Sequence, residues 1–337
     1  MVGAPTGGVD LIVGAGERGH RLDQFVQRSL ARTEAPPSRA EVQRWIGLGA
    51  VTLNGTVVKA SSDLRLGDVV QVRRPPEATT AAAPDANVEF DVVYEDEALV
   101  VVNKPAGLVV HPARSHPSGT LVNGLLARGY FDVALAAQGA AELSDARDPE
   151  GHRRPGIVHR IDKGTSGLLV VARNAVAREG LKRQLSAHTV LREYDALALG
   201  DVKVLEHDTL HGRHPKDRLR FTTRLREGKR AVTHVAVVER FGLATYVRCR
   251  LSTGRTHQIR VHLAESGTPI LGDTLYGALP REAHVVKLAK DLGHQALHAR
   301  LLGFTHPVTG KELRFEAPLP PDFAAALETL RGLGRKS

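Results

Sequence analysis

Apolar positions in the first 75 residues recur at helical spacing and then change to alternation. In RLDQFVQRSL, Leu22, Phe25, Val26 and Leu30 lie three to four residues apart, which predicts an amphipathic helix. Ser38 is a candidate N-cap for a second helix through RAEVQRWIGLG, ending at Gly47 or Gly49. VTLNGTVV then sets Asn54-Gly55 between β-branched residues, the pattern of a two-residue hairpin turn, and LGDVVQV predicts a further strand. The order helix, helix, hairpin, strand predicts a small α/β module over residues 18–75, preceded by a flexible start at 1–17. Residues 76–88 combine Pro, Ala and Thr without a period and read as a linker.

From Phe90 onward, β-branched apolar runs return. FDVVYEDEALVVVNKP, GIVHRID, SGLLVVAR, AVTHVAVVERF, ATYVRCRLS and ELRFEAPL all have strand character, and a strand begins at Leu191-Arg192-Glu193-Tyr194. GTLVNGLLARG, AVAREGLKRQLSAH and RTHQIRVHLAESG have helical spacing instead. This mixture predicts an α+β fold with a large, mainly antiparallel sheet over residues 89–327, followed by a short tail at 328–337. Residues 135–152, with Gly, Asp and Pro punctuation, read as a disordered surface loop.

Charge narrows the class of partner. The chain of 337 residues has a formal net charge of +9, and residues 151–337 hold 32 Lys and Arg against 18 Asp and Glu. Lysine and arginine in such excess supply sequence-independent affinity for phosphate backbones. Aromatic residues make up only 4%, too few for an extended base-stacking platform. No apolar run approaches the roughly 20 residues of a membrane span, and the N-terminus lacks a signal-peptide pattern, so a cytoplasmic protein is expected. The single cysteine, Cys249, lies in the alternating segment YVRCRL and reads as a small buried hydrophobe.

Two clusters carry candidate chemistry. RPGIVHRIDKGTSGLLVVAR sets His159, Arg160 and Asp162 in a glycine-punctuated turn before a very apolar strand, where a scaffold presents reactive groups. A turn stabilised by Asp162 bonding its own backbone is the competing reading. LSTGRTHQIRVHLAESG places Arg255, His257, Arg260 and His262 just after Gly254. A helix starting near Thr256 would offer its amides and Arg255 to an anion, whereas a solvated basic face is the plainer alternative. In NKPAGLVVHPA, Lys104 meets either a phosphate or solvent. The chain has no HExxH motif, no cysteine cluster, no GxSxG elbow and no phosphate loop, so metal, hydrolase-elbow and nucleotide chemistry are unsupported.

HRIDKGTSGLLVVAR closely resembles the HR(L/I)DxxTSGLL motif of the RluA-type pseudouridine synthases. VVNKPAGLVVHP, TLVNGLL, RPGIVHRID, GRTHQIRVHLA, LGDTLYG, QALHARLLGFTHPVTG and FEAPLP occur in that family's order, over nearly all of residues 88–323. Residues 18–75 resemble an S4 RNA-binding domain, the companion module in the RluD-like subgroup that modifies large-subunit ribosomal RNA. The resemblance implies that Asp162 is the catalytic aspartate, Tyr194 the active-site tyrosine and Arg255 the arginine paired with the aspartate. It also implies that Arg160 enters the RNA in place of an extruded base. His159, Lys104 and Arg260 are further candidates for RNA contact around the flipped nucleotide, and Arg21, Arg39 and Arg44 are candidates on the S4-like module. Arg192 stands where lysine is common in the family's K-x-Y pattern.

Isomerising uridine breaks N1–C1′ and forms C5–C1′ with no net redox change, so no cofactor and no metal are expected. The reaction needs an ionised carboxylate at the ribose, as nucleophile or as base. The uridine must leave its stack to reach it. A monomer acting on large-subunit ribosomal RNA or a ribosome precursor is the expected form. Transfer RNA is the alternative substrate, and a non-catalytic ribosome-assembly factor the alternative class.

Overall fold

The computed structural model describes residues 8–31, 33, 37, 39–73, 83–112, 118–130, 156–277 and 282–334. The chain divides into two units, Met1–Thr80 and Ala81–Ser337.

In the first unit, β1 (Val9–Ile12), α1 (Leu22–Ser29), α2 (Arg39–Gly47), β2 (Val51–Leu53) and β3 (Val69–Val72) form a three-stranded antiparallel sheet, ordered β1-β3-β2, with two helices. Leu22, Phe25 and Val26 of α1 and Val42, Trp45 and Ile46 of α2 are buried against Val51, Leu64, Val70 and Val72, as the helical spacing requires. Asn54 and Gly55 both have positive φ, 50° and 78°, the backbone of a tight turn of the primed type. Beyond it the chain makes only an isolated bridge, Leu53 to Thr56, because β2 takes β3 as its partner instead of a hairpin mate. The expected flexible start at 1–17 is corrected from Val9 onward, where β1 pairs with β3 from Val9 to Ile12, and 1–7 lie outside the described residues. Ser38, the expected cap of α2, lies outside the described residues.

In the second unit the strands are β4 (Asp91–Glu95), β5 (Leu99–Lys104), β6 (Ser166–Ala172), β7 (Leu191–Leu199), β8 (Glu206–Arg213), β9 (Phe221–Thr222), β10 (Lys229–Arg240), β11 (Ala244–Leu251), β12 (Leu297–Thr305) and β13 (Glu312–Glu316). The helices are α3 (Leu121–Ala127), α4 (Ala175–Ser186), α5 (Gln258–Glu265), α6 (Ala283–Leu292) and α7 (Pro321–Gly334). The strands form one sheet in the order β4-β5-β6-β12-β7-β11-β10-β8-β9, with β13 alongside β12. Its pairings are antiparallel except β6 with β12, so the fold is α+β with a mainly antiparallel sheet. GIVHRID does not form a strand; Ile157 makes one bridge to Val171.

Two expected boundaries shift. Asn123 reaches back to the Ala83 carbonyl, and Val88 joins the core, so the end of the expected 76–88 linker belongs to this unit. From 328 to Gly334 the expected tail is the last turns of α7, tied down by Leu330, which is buried in the same core, and 335–337 lie outside the described residues. The expected loop at 135–152 lies outside the described residues.

Polar β8 was not foreseen, because its inward positions are histidines. His207 and His211 are buried, and His207 stacks on His262 of α5 with ring centroids 4.9 Å apart. The two ring nitrogens of His262 meet the hydroxyls of Thr233 and Thr209 at 2.9 and 3.0 Å. Burial pushes His262 down to about 3 and His211 to about 4; the neighbouring His207 and His211 act on His262, and Arg255 and His257 on His211, in the same direction. The unfolded chain therefore binds protons below pH 6.5 that the folded chain refuses, and stability is greatest above that pH and falls on acidification. Each such histidine is expected to remove about 2 kcal/mol between pH 6.5 and 5. Urea unfolding at the two pH values checks this, and His262→Gln should flatten the dependence; a stability independent of pH over that range would contradict it.

Candidate active site

Asp162 sits in a turn that its neighbours fix from several sides. Its carbonyl accepts from Thr165 N at 3.0 Å, and Gln295 Nε2 donates to Thr165 Oγ1. A side chain at Gly164 would meet Gln295 Oε1 at 2.3 Å, and Gly167, with φ +111°, lets β6 approach the Ala299 carbonyl of β12. Glycine at 167 is thus a packing requirement, whereas a side chain at 164 would have to displace the Gln295 amide. From the other side, Lys104 Nζ donates to the carbonyls of Pro105, Leu108 and Lys163 at 2.8, 2.8 and 3.2 Å.

This corrects the reading of Lys104 as a phosphate contact. It is fully buried and ties the 105–108 loop to the Asp162 turn. Burial lowers its pKa to about 7, with the charge of Asp162 opposing. His159 is likewise not a cation for RNA. Its Nε2 accepts from Val170 N at 3.1 Å, and burial, aided by the Arg192 charge, pushes it down to about 3.

The arginine paired with Asp162 is Arg260. Its Nη1 lies 2.8 Å from Asp162 Oδ2, while Nε and Nη2 grip Asp273 at 2.7 and 2.9 Å. The expected Asp162–Arg255 pair is corrected accordingly, as is the assignment of Arg260 to RNA contact. The physical reason is the start of α5 at Gln258. Arg260 projects from its first turn, where helical side chains lean back toward the N-terminus, whereas Arg255 precedes the helix. Arg255 donates from its backbone N–H to Gln258 Oε1 and from Nε to the Arg230 carbonyl. Gln258 itself is locked by Thr253, Thr233 and the Val232 carbonyl. Burial disfavours the Arg260 charge, but the Asp273 hydrogen bonds and both carboxylates more than offset this and raise its pKa above the ordinary value.

Asp273 and Tyr276 were missed as site residues, and His257 was singled out only as a member of the basic cluster, with no role of its own. Asp273 is buried, accepts from the backbone N–H groups of Leu275 and Tyr276, and orients Arg260. His257 has a left-handed backbone, φ 59°, at the N-terminus of α5. Its Nδ1 lies 2.8 Å from the Tyr276 hydroxyl and its Nε2 3.8 Å from Asp162 Oδ1. Burial lowers the His257 pKa and so favours the neutral ring; the tautomer that accepts from the Tyr276 hydroxyl at Nδ1 leaves its Nε2–H on the side of Asp162. The LGDTLYG segment was the available signal for Asp273 and Tyr276.

Asp162, His257 and Arg260 line an open pocket of about 610 Å³ together with Tyr194, Arg160, Arg192 and Arg255, while Asp273 and Tyr276 stand behind it. Leu251, Ile259 and Leu297 supply apolar wall. Tyr194 is buried, and burial raises its pKa, with Asp162 adding to the effect; its hydroxyl stays protonated at neutral pH. Arg160 is exposed at this pocket. Cys249, on β11 opposite Tyr194, is buried and its thiol is pushed up to about 12.

On the first unit, Arg21 and Arg39 both bind the buried carboxylate of Asp23, at 3.1 and 3.0 Å, with Gln43 at 2.7 Å. Burial opposes the Asp23 charge, but these partners hold its carboxyl at about 2. Roughly half of each arginine side chain remains exposed. Arg44 lies in α2, and its side chain is outside the described residues. Among the described residues, no helix is long and apolar enough to cross a membrane.

The α+β fold carries an open pocket in which a carboxylate is held by an arginine beside a buried tyrosine, and comparison with known proteins gives the class and the family. Residues 98–265 match the RNA pseudouridylate synthase family model, and residues 21–70 match the S4 domain. The chain is 46% identical over 332 residues to an uncharacterized RNA pseudouridine synthase, YlyB, of Bacillus subtilis, covering 97% of this chain and 99% of that one. It is 44% identical over 300 residues to ribosomal large subunit pseudouridine synthase D of Xanthomonas campestris, covering 87% and 85%. Among solved structures, human RNA pseudouridylate synthase domain containing 4 is similar with a TM-score of 0.50 and 26% identity, covering 71% of this chain and 92% of that chain. The chain belongs to the RNA pseudouridine synthase family: it is an isomerase with an N-terminal S4 domain, and RNA is its substrate.

Proposed function

We propose that this enzyme converts uridines of large-subunit ribosomal RNA to pseudouridine, acting in the cytoplasm as a monomer, with Asp162, Tyr194 and Arg260 as its central residues. The observation that carries the reading is the Asp162 carboxylate, held by Arg260 at 2.8 Å in a pocket shared with Tyr194. The target uridine leaves its helix at a cost of a few kcal/mol, which Arg160 offsets by filling the vacated place. Asp162 then acts at the ribose, as nucleophile or as base, while N1–C1′ breaks. Arg260 fixes the Asp162 carboxylate in place through its hydrogen bond. The Tyr194 ring gives the detached uracil a flat face on which to turn until C5 meets C1′.

Support for the ribosomal substrate comes from the Xanthomonas relative, whose name assigns it to the large ribosomal subunit, and from the S4 domain. Half-exposed Arg21 and Arg39, with Arg44, supply phosphate contacts there. The test is release of tritium from RNA labelled at uracil C5, because that hydrogen leaves when C5 becomes the bonding atom. Release is expected from large-subunit ribosomal RNA and not from transfer RNA; the reverse preference would overturn the assignment. Mapping pseudouridines in ribosomal RNA from cells with and without the gene then identifies the sites.

A further inference from the structure

The pocket contains a second cationic feature that the Asp162–Arg260 chemistry leaves unused. Arg192 stands two residues before Tyr194 on β7, on the same face of the strand, and both line the pocket. Arg192 is only 7% exposed, and its buried Nε has no hydrogen-bond partner among the described residues. Its guanidinium lies against Gly254, where a Cβ would sit 2.5 Å from Nη1. Glycine at 254 is therefore what admits the guanidinium to this wall. Burial and then the charge of Arg255 act on Arg192 unfavourably, Tyr194 opposes them, and among the described residues no carboxylate figures in its surroundings. Two arginines thus share one wall, one of them buried with a vacant donor.

Burying a guanidinium without an acceptor, beside a like charge, is costly unless a ligand completes it. The complement of a planar donor fork beside a second cation is an oxyanion, and bidentate phosphate recognition is what arginine does best. Asp162 does not serve, since it neither bonds Arg192 nor figures among the charges that act on it. An extruded nucleotide brings such a group with it in its phosphodiester linkages.

Resting on the pseudouridine synthase reading, we propose that Arg192 and Arg255 hold a backbone phosphate adjoining the flipped uridine, and so set the ribose against Asp162. The interaction positions the substrate; it takes no part in bond exchange. It also accounts for a guanidinium in the K-x-Y position, since arginine binds phosphate through two parallel N–H groups where lysine offers a point charge.

The experiment is a cycle between protein and substrate. Wild type and Arg192→Gln are assayed on a ribosomal RNA stem-loop carrying either natural linkages or an uncharged methylphosphonate 5′ or 3′ of the target uridine. With wild type, one of the two methylphosphonates is expected to lower kcat/KM by about 10- to 100-fold. Arg192→Gln should lose a similar factor on natural RNA but less than about twofold more on that methylphosphonate RNA, as coupled groups do. Arg192→Lys should recover part of the loss, which also separates phosphate binding from a folding defect. Deficits that multiply at both positions would overturn the proposal; a contact to a uracil carbonyl would produce that pattern. Failure of the enzyme reading itself would look different, as absence of pseudouridine formation by wild type on natural RNA.

Discussion

Asp162→Asn is expected to slow pseudouridine formation at least ~1,000-fold while RNA affinity stays within about threefold of wild type. Asparagine keeps the size of the side chain and removes its charge. The surroundings should survive the change, because Arg260 remains gripped by Asp273 through Nε and Nη2, and the turn is fixed by Thr165, Gln295 and Lys104 rather than by the carboxylate. The loss then reports on the chemical step alone. Single-turnover nucleoside analysis gives the rate and filter binding the affinity. Turnover within tenfold of wild type would remove Asp162 from the mechanism.

Arg260→Met should have the largest effect on stability, for a reason that lies with its second partner. The Asp273 side chain has 0% exposure. Without the guanidinium, its carboxylate keeps only the Leu275 and Tyr276 amides. Removing one partner of a buried pair in this way costs about 3–5 kcal/mol. The double variant Arg260→Met/Asp273→Asn should recover much of that stability, since the stranded charge is gone. It should not recover activity, because Asp162 still lacks its cation. Urea unfolding alongside turnover separates the two roles; activity returning together with stability would mean that Arg260 acts only as scaffold.

The second unit shows where the sequence was readable. Apolar runs such as LVVVNK and SGLLVVA gave their strands away because both faces are buried, and burial on both faces needs no alternation. β8 escaped because its inward residues are His207 and His211, polar by type yet buried and uncharged in the fold. β1 escaped because a four-residue strand with one half-buried side chain carries almost no pattern. The turn bearing Asp162 was legible from its glycines, whereas Tyr194 on its strand read as a packing residue and was singled out only by the family resemblance.

What could not be read was pairing at a distance. Arg255 and Arg260 are equivalent on composition, and the choice between them depends on where α5 begins and on Asp273, which lies 13 residues beyond Arg260. Lys104 looked like a surface cation because lysine is almost never fully buried. Three backbone carbonyls converging on it, one of them 59 residues away, are invisible until the chain has folded. Arg21 and Arg39 looked free for the same reason, although Asp23 had already recruited both.

The most direct test of the account is the structure of the Asp162→Asn enzyme bound to a ribosomal RNA stem-loop that contains its target uridine. The uridine should be out of its helix, with uracil against the Tyr194 ring and the ribose in hydrogen-bond or van der Waals contact with residue 162. A target uridine still stacked in its helix, or docked elsewhere with the pocket at residue 162 closed to it, would contradict the account.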